Sequence, residues 1–257
     1  MSLRKFCLQT AAVADVELRK LVRDPTELAS RAVQPVLWLT VFGQVMGNVR
    51  GIHGGPESYT VFLTPGILAQ SVLFSAIFYG IAVIWERDLG VVHKQLVSPA
   101  YRSALVLGKA FAAGFRGLVQ AGVIYVLAAA MHLPLAYGPL PVVAVLGIVV
   151  LGSALFSTFS LIIACVVKTR ERFMGIGQVL TMPLFFASSA IYPLDLMPPW
   201  LRVVARFNPL TYLVDALRAL MVPGSATAGL GGDVGVMAVV FALLLVLAVR
   251  VYPGLVR

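Results

Sequence analysis

Six long apolar stretches, at residues 33–49, 61–84, 117–135, 140–167, 173–190 and 234–251, are joined by short polar loops. Crossing ~30 Å of hydrocarbon takes ~20 helical residues at ~1.5 Å per residue, and each stretch meets or nearly meets that length. Lipid offers no partner for backbone polar groups, so only helices and closed barrels cross it. The runs are continuous rather than alternating, which is the pattern of helices and not of barrel strands. The hydrophobic pattern therefore predicts an all-α polytopic membrane protein with six transmembrane helices.

Three segments outside those stretches also have helical spacing. Over residues 6–23, Val13, Val16, Leu18, Leu21 and Val22 make an approximate apolar face, with Arg19, Lys20 and Arg23 toward the polar side. Asp24-Pro25 ends the segment, because a residue before proline avoids helical angles. This fits an interfacial helix leading into the first span; a cytoplasmic helix with a basic face has the same pattern. Residues 86–96 can form a short amphipathic helix carrying Leu89, Val92 and Leu96. They equally fit a loop anchored in the headgroup layer by Trp85 and Tyr101. Residues 192–223 are too polar to span. Pro198-Pro199 and Asn208-Pro209 divide them into two short stretches, with Leu201, Val204 and Ala205 on one face of the first and Leu213, Ala216, Leu217 and Leu220 on one face of the second. Two short re-entrant helices at the outer leaflet, between spans five and six, are the expectation.

Composition agrees. Of the 257 residues, 60% are hydrophobic and 12% charged, against ~25% charged in soluble domains, and the mean hydropathy is +0.93. The spans leave no room for a separate soluble domain of ~100–150 residues, so residues 1–257 form one transmembrane domain. The net charge of +9 does not indicate nucleic acid, because the basic residues flank the spans and face lipid headgroups. Arg and Lys are dense before span one, in the loop after span two and between spans four and five, which places both termini in the cytoplasm. Arg202, Arg206 and Arg218 fall on the outer side; pairing with Asp195, Asp215 or lipid phosphate accounts for them. The N-terminal apolar stretch is interrupted by Gln9, Thr10, Asp15 and Glu17, unlike a signal-peptide core, and is read as retained.

No motif supports catalysis. Two cysteines, Cys7 and Cys165, and three histidines, His53, His93 and His132, have no metal-ligand spacing. Gly108-Lys109 lacks the preceding glycine and the following Ser or Thr of a phosphate-binding loop. No catalytic, cofactor or metal site is expected, and ATP is not bound by this chain. The spans carry few ionisable groups, unlike proton- or sodium-driven pumps, so energy arrives from elsewhere. Most intramembrane Ser and Thr are expected to bond to their own helix backbone.

Four pieces taken together resemble the membrane subunit of ABC-2-type transporters, in particular the daunorubicin-resistance permease branch. They are RKLVRDPTELASRAVQPVLWLTVFG at 19–43, ERDLGVVHKQLVSPAYRSALVLGK at 86–109, PLFFASSAIYPLDLMPPWLRVVARFNPLTYLVDALR at 183–218, and the six-span frame. The run from Asn208 to Arg218 is the most specific, followed by Glu86-Arg87 and Ser98-Pro99. Arg87-Asp88 departs from the variants common around the glutamate in relatives.

The resemblance implies a half-transporter in the inner (cytoplasmic) membrane of a prokaryote. A separate ABC ATPase subunit would hold ATP and Mg, and a second permease copy, identical in a homodimer or paralogous, would complete the pathway. The implied function is export of amphipathic drugs, lipids or lipid-linked compounds from the cytoplasm or inner leaflet. An intramembrane lipid-modifying enzyme and a secondary transporter are the alternatives, and both lack the residues they require. On this basis residues 86–102 are the ATPase-coupling region, with Glu86, Arg87 and Asp88 setting orientation and Leu89, Val92 and Leu96 filling a groove on the partner. Spans one, two and five would line the pathway, with Gln44, Gln70, Phe74, Phe78 and Phe185 against cargo. The outer gate would be built from Asn208 as helix cap, Pro209 in the first turn, Tyr212, and Asp215 with Arg218 on one helical face.

Overall fold

The computed structural model describes residues 3–23, 25–47, 59–97, 101–167, 169–227, 229–252 and 254. Among these residues the regular elements are all helices, joined by turns, with no strand. The amphipathic N-terminal helix α1 (Leu3–Arg23) is followed by α2 (Pro25–Leu37), a five-residue π-helical turn (Trp38–Phe42) and α3 (Gly43–Gly47). Pro35 lies inside α2 and removes one ladder hydrogen bond. The Thr40 hydroxyl donates to the Val36 carbonyl at 2.7 Å within the irregular stretch.

Among the described residues, four helices are long and apolar enough to cross a membrane: α4 (Tyr59–Asp88), α6 (Arg102–Ala130), α7 (Pro139–Val166) and α11 (Leu230–Val251). The short α5 (Val91–Val97) lies between α4 and α6. The fifth apolar stretch forms α8 (Arg170–Phe186), whose 17 residues reach ~25 Å at ~1.5 Å per residue. It starts at Thr169, whose hydroxyl accepts from the Arg172 amide, and gives way to turns at Ala187. The first apolar stretch is helical in α2 to α3, and its end, residues 48–49, lies outside the described residues.

The central element is α4. It packs against α6, α7, α8 and α10, and 78% of its most apolar window is buried inside the protein. Its Leu63, Ile67, Leu68, Val72 and Leu73 form the main core with Phe156 of α7 and Leu213 and Leu217 of α10. By contrast, only 11% of the equivalent window of α11 is buried, leaving Val239, Leu243 and Val246 exposed, as a lipid-facing helix requires.

The polar segment before α11 folds as two helices at the proline breaks, α9 (Pro199–Phe207) and α10 (Pro209–Met221). Helix α10 is a core element packed on α4, α7 and α11. Gly152 of α7 permits this approach, since a Cβ there would lie 2.9 Å from the Leu213 side chain. Helix α9 turns its apolar stripe outward: Trp200, Val203, Val204 and Phe207 are exposed, while Ala205 is buried. Of the residues expected on one face, Ala205 is buried, Leu201 half-buried and Val204 exposed. On the other side of α9 the Arg202 guanidinium donates to the carbonyls of Leu194, Asp195 and Met197.

Intramembrane hydroxyls follow the own-backbone expectation at Thr64, Ser71, Thr158 and Thr181. Ser160 differs. Its hydroxyl donates to the Ile77 carbonyl of α4 and accepts from the Gly80 amide at 3.1 Å, joining α7 to α4.

Candidate functional site

At the end of α4 that leads into α5, an ion cluster ties three helices together. Glu86 of α4 accepts from Lys20 of α1 and from Lys109 of α6. Lys20 also reaches Glu17 at 2.9 Å, and Lys109 lies 3.9 Å from Glu17. The Lys109 side chain is 2% exposed, so a paired carboxylate is what makes its burial tolerable. Gly108 lets α1 come close, since a Cβ there would meet the Thr10 carbonyl oxygen at 2.9 Å. Burial opposes the charge of Lys20, but the hydrogen bonds it donates to Glu86 and Glu17, with the charges of those carboxylates, outweigh it and raise its pKa.

The expected coupling residues therefore divide. Glu86 is turned toward Lys20 of α1 and Lys109 of α6. Asp88 binds Arg170 of α8 at 2.8 Å and Arg87 at 3.0 Å. The Arg170 guanidinium lies 3.6 Å over the Trp85 ring, and Arg87 donates to the Val167 carbonyl. Residues 86–96 are not one helix: α4 ends at Asp88, a turn follows with Gly90 at φ 73°, and α5 begins at Val91. This separates Leu89, which is 71% exposed, from Val92, which is 0% exposed and packs with Tyr79, Val83, Leu105 and Tyr252. The exposed face of α5 carries Val91, Lys94 and Val97, three residues apart and hence on one side of a helix. The side chain of Leu96, and Ser98 and Pro99 altogether, lie outside the described residues.

A polar groove rises from this cluster between α2, α4 and α6. Its wider part, of about 730 Å³, is lined by Lys20, Glu86, Arg31, Arg116, Trp85 and Phe78 among others. Its inner part, of about 200 Å³, shares Ser30, Arg31 and Phe78 with the first and adds Gln34, Phe74, Ser75, Gln70 and Gln120. Arg116 is buried, with its guanidinium 4.9 Å from the Tyr79 ring centre. Gln70, Phe74 and Phe78 recur every four residues, so they form one stripe of α4, and the two rings lie 6.1 Å apart.

Of the five expected pathway residues, the structure brings together Gln70, Phe74 and Phe78. Gln44 is exposed on α3. Phe185 is 1% exposed and packs against Trp38 at 5.9 Å. Neither lines the groove. Gln120, Ser75 and Arg31 were not singled out for the pathway from sequence; the signal available was amides and hydroxyls in otherwise apolar helices.

The opposite end of the bundle holds the expected gate residues together. Asn208 accepts from the Leu210 amide at 3.0 Å, capping α10. Its amide nitrogen donates to the carbonyls of Leu184 and Ala187, at 2.6 and 3.0 Å, so the same residue closes the end of α8. Pro209 occupies the first turn, and the Tyr212 hydroxyl donates to the Arg206 carbonyl. Asp215 accepts from Arg218 at 3.2 Å and from the Ser189 hydroxyl at 2.7 Å. Arg218 also donates to the Ser189 carbonyl at 2.7 Å and lies 4.1 Å over the Phe62 ring.

A family model described as "ABC-2 type transporter" matches residues 8–222. A ycf38 protein of Cyanophora paradoxa that carries a transport-permease name is 30% identical over 207 residues, covering 78% of this chain and 70% of the relative. Nodulation protein J of Rhizobium leguminosarum bv. trifolii is 30% identical over 200 residues, with coverages of 76% and 73%. "Probable doxorubicin resistance ABC transporter permease protein DrrC" of Mycobacterium tuberculosis (strain CDC 1551 / Oshkosh) is 24% identical over 227 residues, covering 86% and 79%. The match spans α1 to α10 and so includes the ion cluster, the groove and the Asn208–Arg218 assembly. The chain belongs to the ABC-2 type transporter family and is a multi-pass transport permease of it.

Proposed function

We propose that this chain is the membrane half of an ATP-driven exporter of amphipathic compounds, with hydrolysis of Mg-ATP on a separate ABC ATPase subunit. The observation that carries this is the groove: it opens beside the ion cluster, at the predicted cytoplasmic end, and leads along α4 to buried amides. Charge at the mouth, rings along the side and amides within suit a cargo with one polar end. In this proposal residues 1–257 are one domain with six spans, α2 to α3 and α8 serving as the first and fifth. Both termini are cytoplasmic, the membrane is a prokaryotic inner membrane, and two permease copies, identical or paralogous, complete the pathway.

The ATPase would dock on the α4–α5 corner. Leu89, Val91 and Val97 supply its exposed apolar contacts, while Glu86 passes movement of that corner to α1 and α6. Coexpression with an ABC ATPase from the same genomic neighbourhood tests this. Co-purification is expected, and Leu89→Asp or Val97→Asp should lower recovered ATPase about tenfold while the permease stays inserted, since an interface charge left unpaired costs a few kcal/mol. An ATPase that binds both variants as well as the wild type would overturn the assignment.

A further inference from the structure

Helix α5 is seven residues long. An isolated helix is marginal in water even at ~12–15 residues, so packing on the bundle is what holds α5. Gly90, at φ 73°, joins it to α4, and glycine restricts the backbone least of all residues. That joint leaves the angle of α5 to contacts with the bundle. Two of its side chains, three residues apart and so on one side of the helix, make such contacts. Val92 is buried in a cluster with Tyr79, Val83, Leu105 and Tyr252. Gln95 is half-buried, and its side-chain carbonyl accepts from the Tyr252 hydroxyl at 3.2 Å. Tyr252 thus belongs both to the cluster that buries Val92 and to the bond that holds Gln95. It directly follows α11, a helix whose buried residues are Met237 and Ala248. Ala248 and Tyr252 are four residues apart, on one side of the chain, and both are fully buried. The otherwise lipid-facing α11 is therefore fastened to the protein at the end that lies beside α5.

We infer that Tyr252 is a positioning residue for ATPase coupling: through Gln95 its hydroxyl fixes the angle at which α5 meets the ATPase and ties that movement to α11. This rests on the docking proposal for the α4–α5 corner. Core packing uses the ring of Tyr252 and gains nothing from a hydroxyl, which needs a partner once it is turned into protein. That partner is a half-buried amide on α5, the element that a partner subunit would move. With the bond made, the exposed Val91, Lys94 and Val97 are held in one orientation. Force applied to them then reaches α11, in addition to α1 and α6 through Glu86. Without the bond, α5 swings about Gly90 while the ATPase stays attached, so less cargo moves for each ATP hydrolysed.

Hydrogen exchange of the full-length chain in nanodiscs, without an ATPase, reads α5 directly. Tyr252→Phe keeps the ring and removes the hydroxyl. The peptide over residues 89–97 should then exchange roughly three- to tenfold faster, as expected for one lost hydrogen bond, while α6 and α7 exchange as in wild type and thermal melting is unchanged. Gln95→Leu should also speed exchange, and adding Tyr252→Phe to it should bring no further increase, because the two groups share one bond. Gln95→Glu, which keeps an acceptor, should stay slow. In proteoliposomes with the ABC ATPase, Tyr252→Phe should lower the amount of a fluorescent amphiphile transported per ATP roughly threefold or more, with ATPase still co-purifying. Leu243→Ala, on the exposed face of α11, should change none of these quantities. Unaltered exchange over 89–97 in Tyr252→Phe would overturn the proposal. Faster exchange with full transport per ATP would do the same, as would additive effects of the Tyr252 and Gln95 substitutions, which would reduce Tyr252 to core packing. A wild-type permease that recovers no ATPase would instead overturn the docking proposal, and the exchange of α5 would still show whether Tyr252 holds that helix.

Discussion

An ammonium buried inside a membrane bundle is costly, and Lys109 is tolerated because Glu86 meets it directly. Replacing Glu86 with Leu would leave Lys109 facing Glu17 at 3.9 Å as its remaining carboxylate among the described residues. A buried pair broken on one side costs ~3–5 kcal/mol. Thermal unfolding in detergent should show a large loss for Glu86→Leu and recovery of most of it in the Glu86→Leu, Lys109→Met double variant. A double variant that loses the sum of the single effects would show that the two groups do not act as a unit. The raised pKa of Lys20 sets the pH dependence of its share. That contribution is fully present below its ordinary value of 10.5 and is lost only as pH rises through the higher folded value. That contribution therefore holds across physiological pH.

At the scale of elements, α10 is a clamp. Asn208 fastens it to the end of α8, and Asp215 with Arg218 fastens it to Ser189 beyond that end. We propose that this assembly is an outer gate, which would release and re-form during transport. Asp215→Ala and Arg218→Ala should each cut export, and the double variant should be less impaired than the product of the two effects, because each single change strands a partly buried charge. Export unaffected by either change would remove the clamp from the mechanism. The proline breaks, the Asn208 cap and the three-residue spacing of Asp215 and Arg218 are local features, and all were legible in the sequence. The exposure of Val204 beside a buried Ala205 was not, because it depends on how α9 is held, including the backbone carbonyls that accept from Arg202. Nor was the split of Leu89 from Val92: α4 runs on to Asp88, past the apolar stretch that ends at 84, and a left-handed Gly90 breaks the helix expected over 86–96.

Over the whole molecule, the hydrophobic pattern was sufficient for helices, their order and the membrane setting, since these depend on runs along the chain. It was insufficient for which faces meet. Lys20, Glu86 and Lys109 come from three separate helices, and Gln70, Ser75 and Gln120 from two; only packing brings either set together. The same packing leaves one continuous feature between them, a groove that starts at the ion cluster and ends among buried amides beside α4. In the proposed mechanism ATPase movement enters through the α4–α5 corner, spreads to α1 and α6 through Glu86, and reshapes the groove these helices line.

The most direct test is transport by proteoliposomes that contain this chain and its ABC ATPase, oriented with the ATPase outside. A fluorescent amphiphile should accumulate inside when Mg-ATP is added. It should not do so with ADP, with either subunit alone, or with an imposed proton or sodium gradient. Accumulation driven by such a gradient in vesicles that contain this chain alone would contradict the account.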